Sequence, residues 1–316
     1  MPATAKTCSL SHRAASTSLR THPSAPNGIS AARRRFLKGS ASALLVSGLG
    51  SSMLSACGGD NLDTDQPETP RLASVSNFRD LAGASVGYLT VDGKQMRRGA
   101  FYRADVLTFS SADQTTVDKL GIASVYDLRT PGEIERTADV LPGGATSQAY
   151  NVLGTSDFVA PTFATADAAT AFMEMQARSY VFGGAQRAAY GALLTRLADG
   201  PGAQLFHSSA GKDRTGWVAA LLLSIANVPL DVIMQDYLLS NVYLAQSIQA
   251  QTTMLRAQDG NAMATVEAPL LNVQENYLQA GFDQVQASYG TMANYLTQGL
   301  GMSQTTVDTL RERLVR

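Results

Sequence analysis

Ala203-Gln204-Leu205-Phe206-His207-Ser208-Ser209-Ala210-Gly211-Lys212-Asp213-Arg214-Thr215-Gly216-Trp217 is the stretch on which the reading of this chain turns. Gly200-Pro201-Gly202 stops what precedes it, and Ala203 to Phe206 reads as a short buried strand. A glycine-containing turn follows. A helix then begins near Thr215, and its continuation from Trp217 to Ala226 carries no charge, so it must be buried on most sides. The first turn of a helix leaves backbone N–H groups unpaired, and the dipole makes that end positive. A loop curling in front of such a terminus forms an anion cradle. Gly211 permits a tight bend or a close backbone approach. Arg214 can grip two phosphate oxygens at once, and Lys212 adds a second positive charge. A plain strand-to-helix connection is the bland alternative. Three consecutive charged residues fused to an apolar helix disfavour it.

Working outward, Ser124 to Leu128 reads as a strand after a helix that turns Val117 and Leu120 inward and ends at Gly121. A further strand is expected near Ala149 to Val152. A helix is expected from about Ala185 to Ala198, with Tyr190, Leu193, Leu194 and Leu197 on one stripe. Residues 155–170, rich in Thr, Ser, Ala, Pro and Asp, read as a mobile connection. Residues 229–316 read as mostly helical, ending with Val307, Leu310 and Leu314 on one face. The expected fold is α/β: a central, mainly parallel sheet flanked by helices, with a helical C-terminal elaboration. The anion site falls at the carboxyl end of the strand at Ala203 to Phe206. Residues 73–316 form the expected folded domain.

The chain has 316 residues, enough for one large domain or two smaller ones. Residues 1–57 hold seven basic residues and no acidic ones; setting them aside leaves 18 basic against 26 acidic residues, a net of −8. A chain so acidic is disfavoured as a nucleic-acid binder, so any anion site must be local. The two cysteines, Cys8 and Cys57, both precede the folded part, which excludes a disulfide framework or a cysteine metal site within it. His207 is the only histidine after His12 and His22, so a histidine-rich zinc site is excluded too.

Arg33-Arg34-Arg35-Phe36-Leu37-Lys38 precedes a weakly apolar Gly/Ser run from Gly39 to Ala56. This looks like a twin-arginine export signal. The run is too interrupted for a membrane span. Leu54-Ser55-Ala56-Cys57 resembles a bacterial lipoprotein box, which implies cleavage before Cys57 and lipidation of its sulfur. Residues 58–72 read as a flexible tether. A periplasmic domain held to a membrane through Cys57 is the expectation.

The loop resembles the signature of tyrosine phosphatases, His-Cys-five residues-Arg-Thr/Ser-Gly. It is closer to that of a bacterial tyrosine- and phosphoinositide-phosphatase group, His-Cys-x-Ala-Gly-Lys-Asp-Arg-Thr-Gly, and departs only at Ser208, where the nucleophilic cysteine would stand. Asn77-Phe78-Arg79-Asp80-Leu81, Phe101-Tyr102-Arg103, Tyr126-Asp127-Leu128-Arg129 with Glu133, Gly184-Ala185-Gln186-Arg187, Asp236-Tyr237-Leu238-Leu239-Ser240-Asn241 and Tyr289-Gly290 are similar to that group's other motifs, in order. The resemblance implies phosphomonoester hydrolysis through a phosphoenzyme, with no metal or cofactor. The implied ligands are phosphotyrosine peptides or phosphoinositides, and phosphate- or vanadate-type anions. It implies that Arg214 binds the phosphoryl group, while the amides of Ser209, Ala210, Gly211, Lys212, Asp213 and Arg214, with Thr215 beside them, cradle its oxygens. His207 would order the loop and lower the nucleophile's pKa. Asp213 would be the general acid, with Asp157 as an alternative. Lys212 would favour polyanionic head groups.

A thiolate is a strong nucleophile at neutral pH, whereas a serine hydroxyl stays protonated and needs a positioned base. Three readings of Ser208 follow: a deliberate replacement that traps substrate, a pseudophosphatase that binds without turnover, or a slow nucleophile with Asp213 as base. Ser209-Ala210-Gly211-Lys212 also fits the Ser-x-x-Lys of β-lactamases, but their later motifs are missing. Away from the loop, Trp217 reads as core behind it, Arg129 and Glu133 as braces for the loop or each other, and Asp236 with Asn241 as a helix-end device. Arg79 and Asp80 are divided between a place near the phosphate and a buried ion pair.

Overall fold

A computed structural model describes residues 69–84 and 86–316. The export and lipidation signals expected over 1–57, Cys57 included, and nearly all of the tether lie outside the described residues. Five strands form one sheet: β1 (Arg79–Asp80), β2 (Phe101–Ala104), β3 (Ile122–Asp127), β4 (Thr146–Ala149) and β5 (Ala203–His207). Their spatial order is β1-β2-β5-β3-β4. Only β1, at the edge, runs antiparallel to its neighbour; the other pairs are parallel. The sheet is therefore mainly parallel, as expected, and β5 lies at its centre. Successive residues of each strand face opposite layers. Phe101, Tyr126 and Phe206 enter the larger core with the helices that follow β5, while Tyr102, Val125 and Leu205 enter a smaller core with Phe78 and Val117.

The first helices are capped by their own side chains. In α1 (Ser111–Asp118) the Ser110 hydroxyl accepts from the Asp113 amide; in α2 (Pro131–Arg136) Thr130 and Glu133 form a reciprocal capping box behind Pro131. α3 (Ala166–Phe182) is capped by Thr165 and buries Ala169, Met173, Ala177, Tyr180 and Val181. α4 (Gly184–Asp199) precedes β5, and α5 (Arg214–Ile225) follows it. Arg214 to Leu223 and Ile225 are buried in α5, in line with the uncharged run from Trp217 onward. The helical finish comprises α6 (Leu230–Tyr243), α7 (Ala245–Leu271), α8 (Glu275–Tyr289), α9 (Met292–Asn294) running into a π-helical turn at Tyr295–Gly299, and α10 (Gln304–Leu314). No helix among the described residues is long and apolar enough to cross a membrane.

Two expectations shift. The connection expected over 155–170 ends at Thr165, because α3 starts there with a threonine cap and an apolar stripe at helical spacing. The strand expected at Ala149 to Val152 is β4 at Thr146–Ala149, an exposed polar edge whose pairing with β3 closes at Asp127–Ala149. Val152 is buried, but as part of the loop beyond it.

Trp217 is core at the back of the loop: it is buried, packs at a tilt against Phe282 and Tyr295, and leaves room only for a glycine at 281. Trp217→Ala should cost about 3–5 kcal/mol. Urea unfolding of the described domain would check this, with a loss under about 1 kcal/mol contradicting the packing.

Candidate active site

The loop from Ser208 to Asp213 joins the end of β5 to the start of α5, as its sequence requires. Three consecutive carbonyls of the loop are held from behind. The Ser209 carbonyl accepts from the Val106 amide at 3.2 Å. The Ala210 carbonyl accepts from Asn77 Nδ2 at 3.1 Å, and the Gly211 carbonyl from Asn77 Nδ2 and Arg103 Nη2, both at 2.9 Å. In a trans peptide the C=O and the next N–H point opposite ways. Pinning these carbonyls to the scaffold therefore turns the amides of Ala210, Gly211 and Lys212 away from it. Among the described residues, no acceptor takes the main-chain N–H of any residue from Ser209 to Arg214. Gly211 has φ +65°, and a Cβ there would lie 2.2 Å from the Ala104 carbonyl oxygen, so this position demands glycine.

The pins are themselves anchored. Buried Arg103 bonds Asp236 at 2.8 Å, and Arg79 reaches the same carboxylate at 3.6 Å and the Asn77 side chain. Of the two places open to Arg79, the structure takes the buried ion pair; Asp80 accepts instead from the amides of Ala82 and Gly99. Asp236 and Asn241 do not act as one device. Asn241 separately bonds both the amide and the carbonyl of Val273.

Arg214 is gripped by Glu133, with Nη1 to Oε2 and Nη2 to Oε1 both at 2.7 Å. The same carboxylate accepts from the Ser209 hydroxyl at 2.6 Å and caps α2 through the Thr130 amide. Burial alone would raise the Glu133 pKa, but the bonds and charge of Arg214, with Ser209 and Thr130, bring it down to about 2. Glu133 thus braces the loop, and Arg129 does something else. Arg129 Nη2 bonds both Asp127 and Asp139 at 2.7 Å, and His207 Nε2 lies 3.3 Å from Asp139 Oδ2. One ligand atom from each of Asp127, Asp139 and His207 falls within 4.8 Å of the others, a spacing a metal could use. The Arg129 guanidinium already supplies the cation between those carboxylates.

His207 and Ser208 point to opposite sides, as neighbours at a strand end do. The Ser208 hydroxyl accepts from Thr215 at 2.9 Å, away from the imidazole. A cleft of about 220 Å³ opens over the loop, lined by Ser208, Ser209, Ala210, Lys212, Asp213, Arg214 and Glu133, with apolar walls that include Leu153, Phe158, Phe172 and Met173. Gly211 and Thr215 back the loop without lining it, and His207 lies behind. Lys212 is buried, with Nζ 2.8 Å from Asp213 Oδ2. Asp157 does not line the cleft. Both its oxygens bond Arg136 at 2.7 Å, which holds its carboxyl below the usual range, a poor state for a proton donor.

The sequence model of the tyrosine phosphatase family matches residues 70–316. The chain belongs to the tyrosine phosphatase family. It is a phosphatase-type hydrolase acting on phosphoesters. Among its relatives, a protein of Cupriavidus necator carrying the name tyrosine-protein phosphatase is 32% identical over 245 residues, 74% of this chain and 89% of its own. The triple specificity protein phosphatase PtpB of Mycobacterium tuberculosis is 30% identical over 277 residues, covering 76% and 96%. A tyrosine-protein phosphatase of Nostoc commune is 30% identical over 225 residues, covering 68% and 74%. Within this family fold, Asn77, Arg103 and Asp236 act at the loop although nothing local in their motifs signals it. The Thr130-x-x-Glu133 spacing is that of a capping box and carries no signal of the clamp on Arg214.

Because the folded pKa of Glu133 lies below its ordinary 4.5, its stabilisation is present above that value and is lost as pH falls toward about 2. Glu133→Gln should therefore destabilise the protein most at neutral pH, and the gap to the unmodified chain should close by about pH 2. Denaturant midpoints across that range are the measurement; a gap independent of pH would contradict it.

Proposed function

We propose that the loop binds a phosphomonoester dianion between its outward amides and Arg214, and that Ser208 Oγ accepts the phosphoryl group. The observation that carries this is the trio of pinned carbonyls, which leaves a run of unpaired donors beside a guanidinium at the start of a buried helix. In the forward step Oγ attacks phosphorus while its proton passes to an oxygen of the phosphate dianion, the ester P–O bond breaks, and Asp213 protonates the leaving oxygen. Water then attacks the phosphoserine, giving one proton back to Asp213, and the Ser208 O–P bond breaks as Oγ recovers its proton from the phosphoryl group. Asp213, which lines the cleft beside Ser208, is favoured as acid over Asp157. His207 orders the loop end through Asp139 rather than serving as base. The apolar cleft walls suit the ring of a phosphotyrosine peptide, and Lys212 with Arg214 suits a phosphoinositide head group. Slow turnover is expected, because the Ser208 hydroxyl has a threonine hydroxyl beside it and no positioned base.

That same contact favours a second reading, in which the chain holds a phosphorylated ligand without turnover, as a natural pseudophosphatase or through a substrate-trapping replacement at position 208. Aryl-phosphate hydrolysis by the chain and by Ser208→Cys separates the two. Both forms active, with Cys much faster, supports the slow enzyme; activity in the Cys form alone supports the binder. Arg214→Ala should weaken vanadate binding about 10- to 100-fold, as loss of a charged hydrogen-bonding partner would. Unchanged affinity would remove the site assignment altogether.

The location is proposed from residues 1–72 alone: twin-arginine export to the periplasm, a lipid on Cys57 and a tether holding the domain off the membrane. Expressed in a bacterial host, the full chain should fractionate with membranes and Cys57→Ser should be released. Membrane association unaffected by that change would refute the anchor.

A further inference from the structure

Asp213 stands between two spaces. One is the cleft. The other is a small pocket of about 10 Å³, walled by Met173, Gln176, Tyr180, Trp217, Tyr237 and Leu278 among others. Met173, Gln176 and Asp213 line both spaces. Lys212 takes Oδ2 of Asp213, but Oδ1 is buried and has no hydrogen-bond partner among the described residues. The Tyr180 hydroxyl, on α3, is likewise buried and unpartnered. Tyr237, on α6, is 4% exposed and lines the same space. Burial raises the pKa of both phenols and the nearby Asp213 charge raises it further, so both remain donors at neutral pH.

A buried polar oxygen left without a hydrogen-bond partner is costly. A cavity large enough for one water, with two to four polar groups around it, is the setting in which buried water becomes part of a fold. We propose that Tyr180 and Tyr237 are positioning residues for Asp213, acting through a single water that bridges their hydroxyls to Oδ1. The inference rests on the reading of Asp213 as the acid. With Lys212 on one oxygen and this water on the other, the carboxyl plane is fixed from behind. A proton it carries is then presented to the leaving oxygen in the cleft. Much of the remaining wall is apolar, with Leu278 and Met173 beside the two phenols.

Two measurements test this. The first needs no turnover. Removing a buried hydroxyl that has no partner leaves stability unchanged or improves it, whereas removing one that holds a water to a carboxylate lowers it. Tyr180→Phe and Tyr237→Phe in the full chain should each lower Tm, and a Tm that holds or rises in both overturns the proposal. The second uses leaving groups in the Ser208→Cys form. The double Tyr→Phe change should slow kcat about tenfold for alkylphenyl phosphates that need an acid, the cost of one lost hydrogen bond. Nitrophenyl phosphate turnover and both KM values should be nearly unmoved. A uniform loss across leaving groups, or none, overturns the positioning role. Asp213→Asn is the control that keeps the two readings apart. If it leaves the leaving-group dependence unchanged, the acid assignment fails, while the Tm comparison still judges the water.

Discussion

The site depends on which way three peptide planes face. A five-strand sheet, two cores and a buried helix bring the loop to the right place, but only scaffold donors behind Ser209, Ala210 and Gly211 turn their carbonyls inward and the following amides outward. Asn77 and Arg103 do most of this, and Gly211 is what lets the chain pass close enough to β2 for them to reach it. Arg103 in turn is fully buried and needs Asp236, which also takes Arg79. Breaking a buried pair of this kind leaves an uncompensated charge, costing about 3–5 kcal/mol. The anion cradle is thus the visible end of an ionic network that runs back through the sheet edge into α6.

A second set of charges governs the other side of the loop. Register places Asp127 beside His207 on neighbouring strands, and Arg129 and Asp139 complete the group. Strand alternation sends that histidine away from Ser208. The consequence for chemistry is plain: what surrounds position 208 is an environment for stabilising negative charge, through amides, a helix terminus and a guanidinium, and among the described residues the Ser208 hydroxyl is hydrogen-bonded to Thr215 and to no base. A thiol would gain from those features. A hydroxyl gains the binding and little of the activation.

How much of this the sequence carried depended on the range of the interaction. The strand-loop-helix unit was legible because its signals are local: Gly-Pro-Gly as a stop, an apolar strand, a charged turn and an uncharged helix. The family resemblance then ordered the remaining motifs along the chain. What stayed hidden were pairings between distant positions. Glu133 and Arg214 are 81 residues apart, and Asn77 and Gly211 are 134 apart, so no spacing rule connects them. The helix α3 was hidden for a different reason, since its alanine-rich start looks like the loop before it until the threonine cap is recognised. Asp157 looked like a usable acid in a mobile segment, and a bidentate arginine on the neighbouring helix was not foreseeable from either stretch.

Glu133 also decides when a cost is met. An arginine side chain loses up to about 2 kcal/mol of rotamer freedom when it is fixed. Because both terminal nitrogens of Arg214 are already clamped, that loss belongs to folding, and an arriving anion meets a guanidinium whose direction is set. Of its five N–H donors, those not turned to the carboxylate are what remains for a ligand. Recognition here is limited by the number of free edges on one planar cation, so ligands with three equivalent oxygens should gain more from this site than flat carboxylates of equal charge.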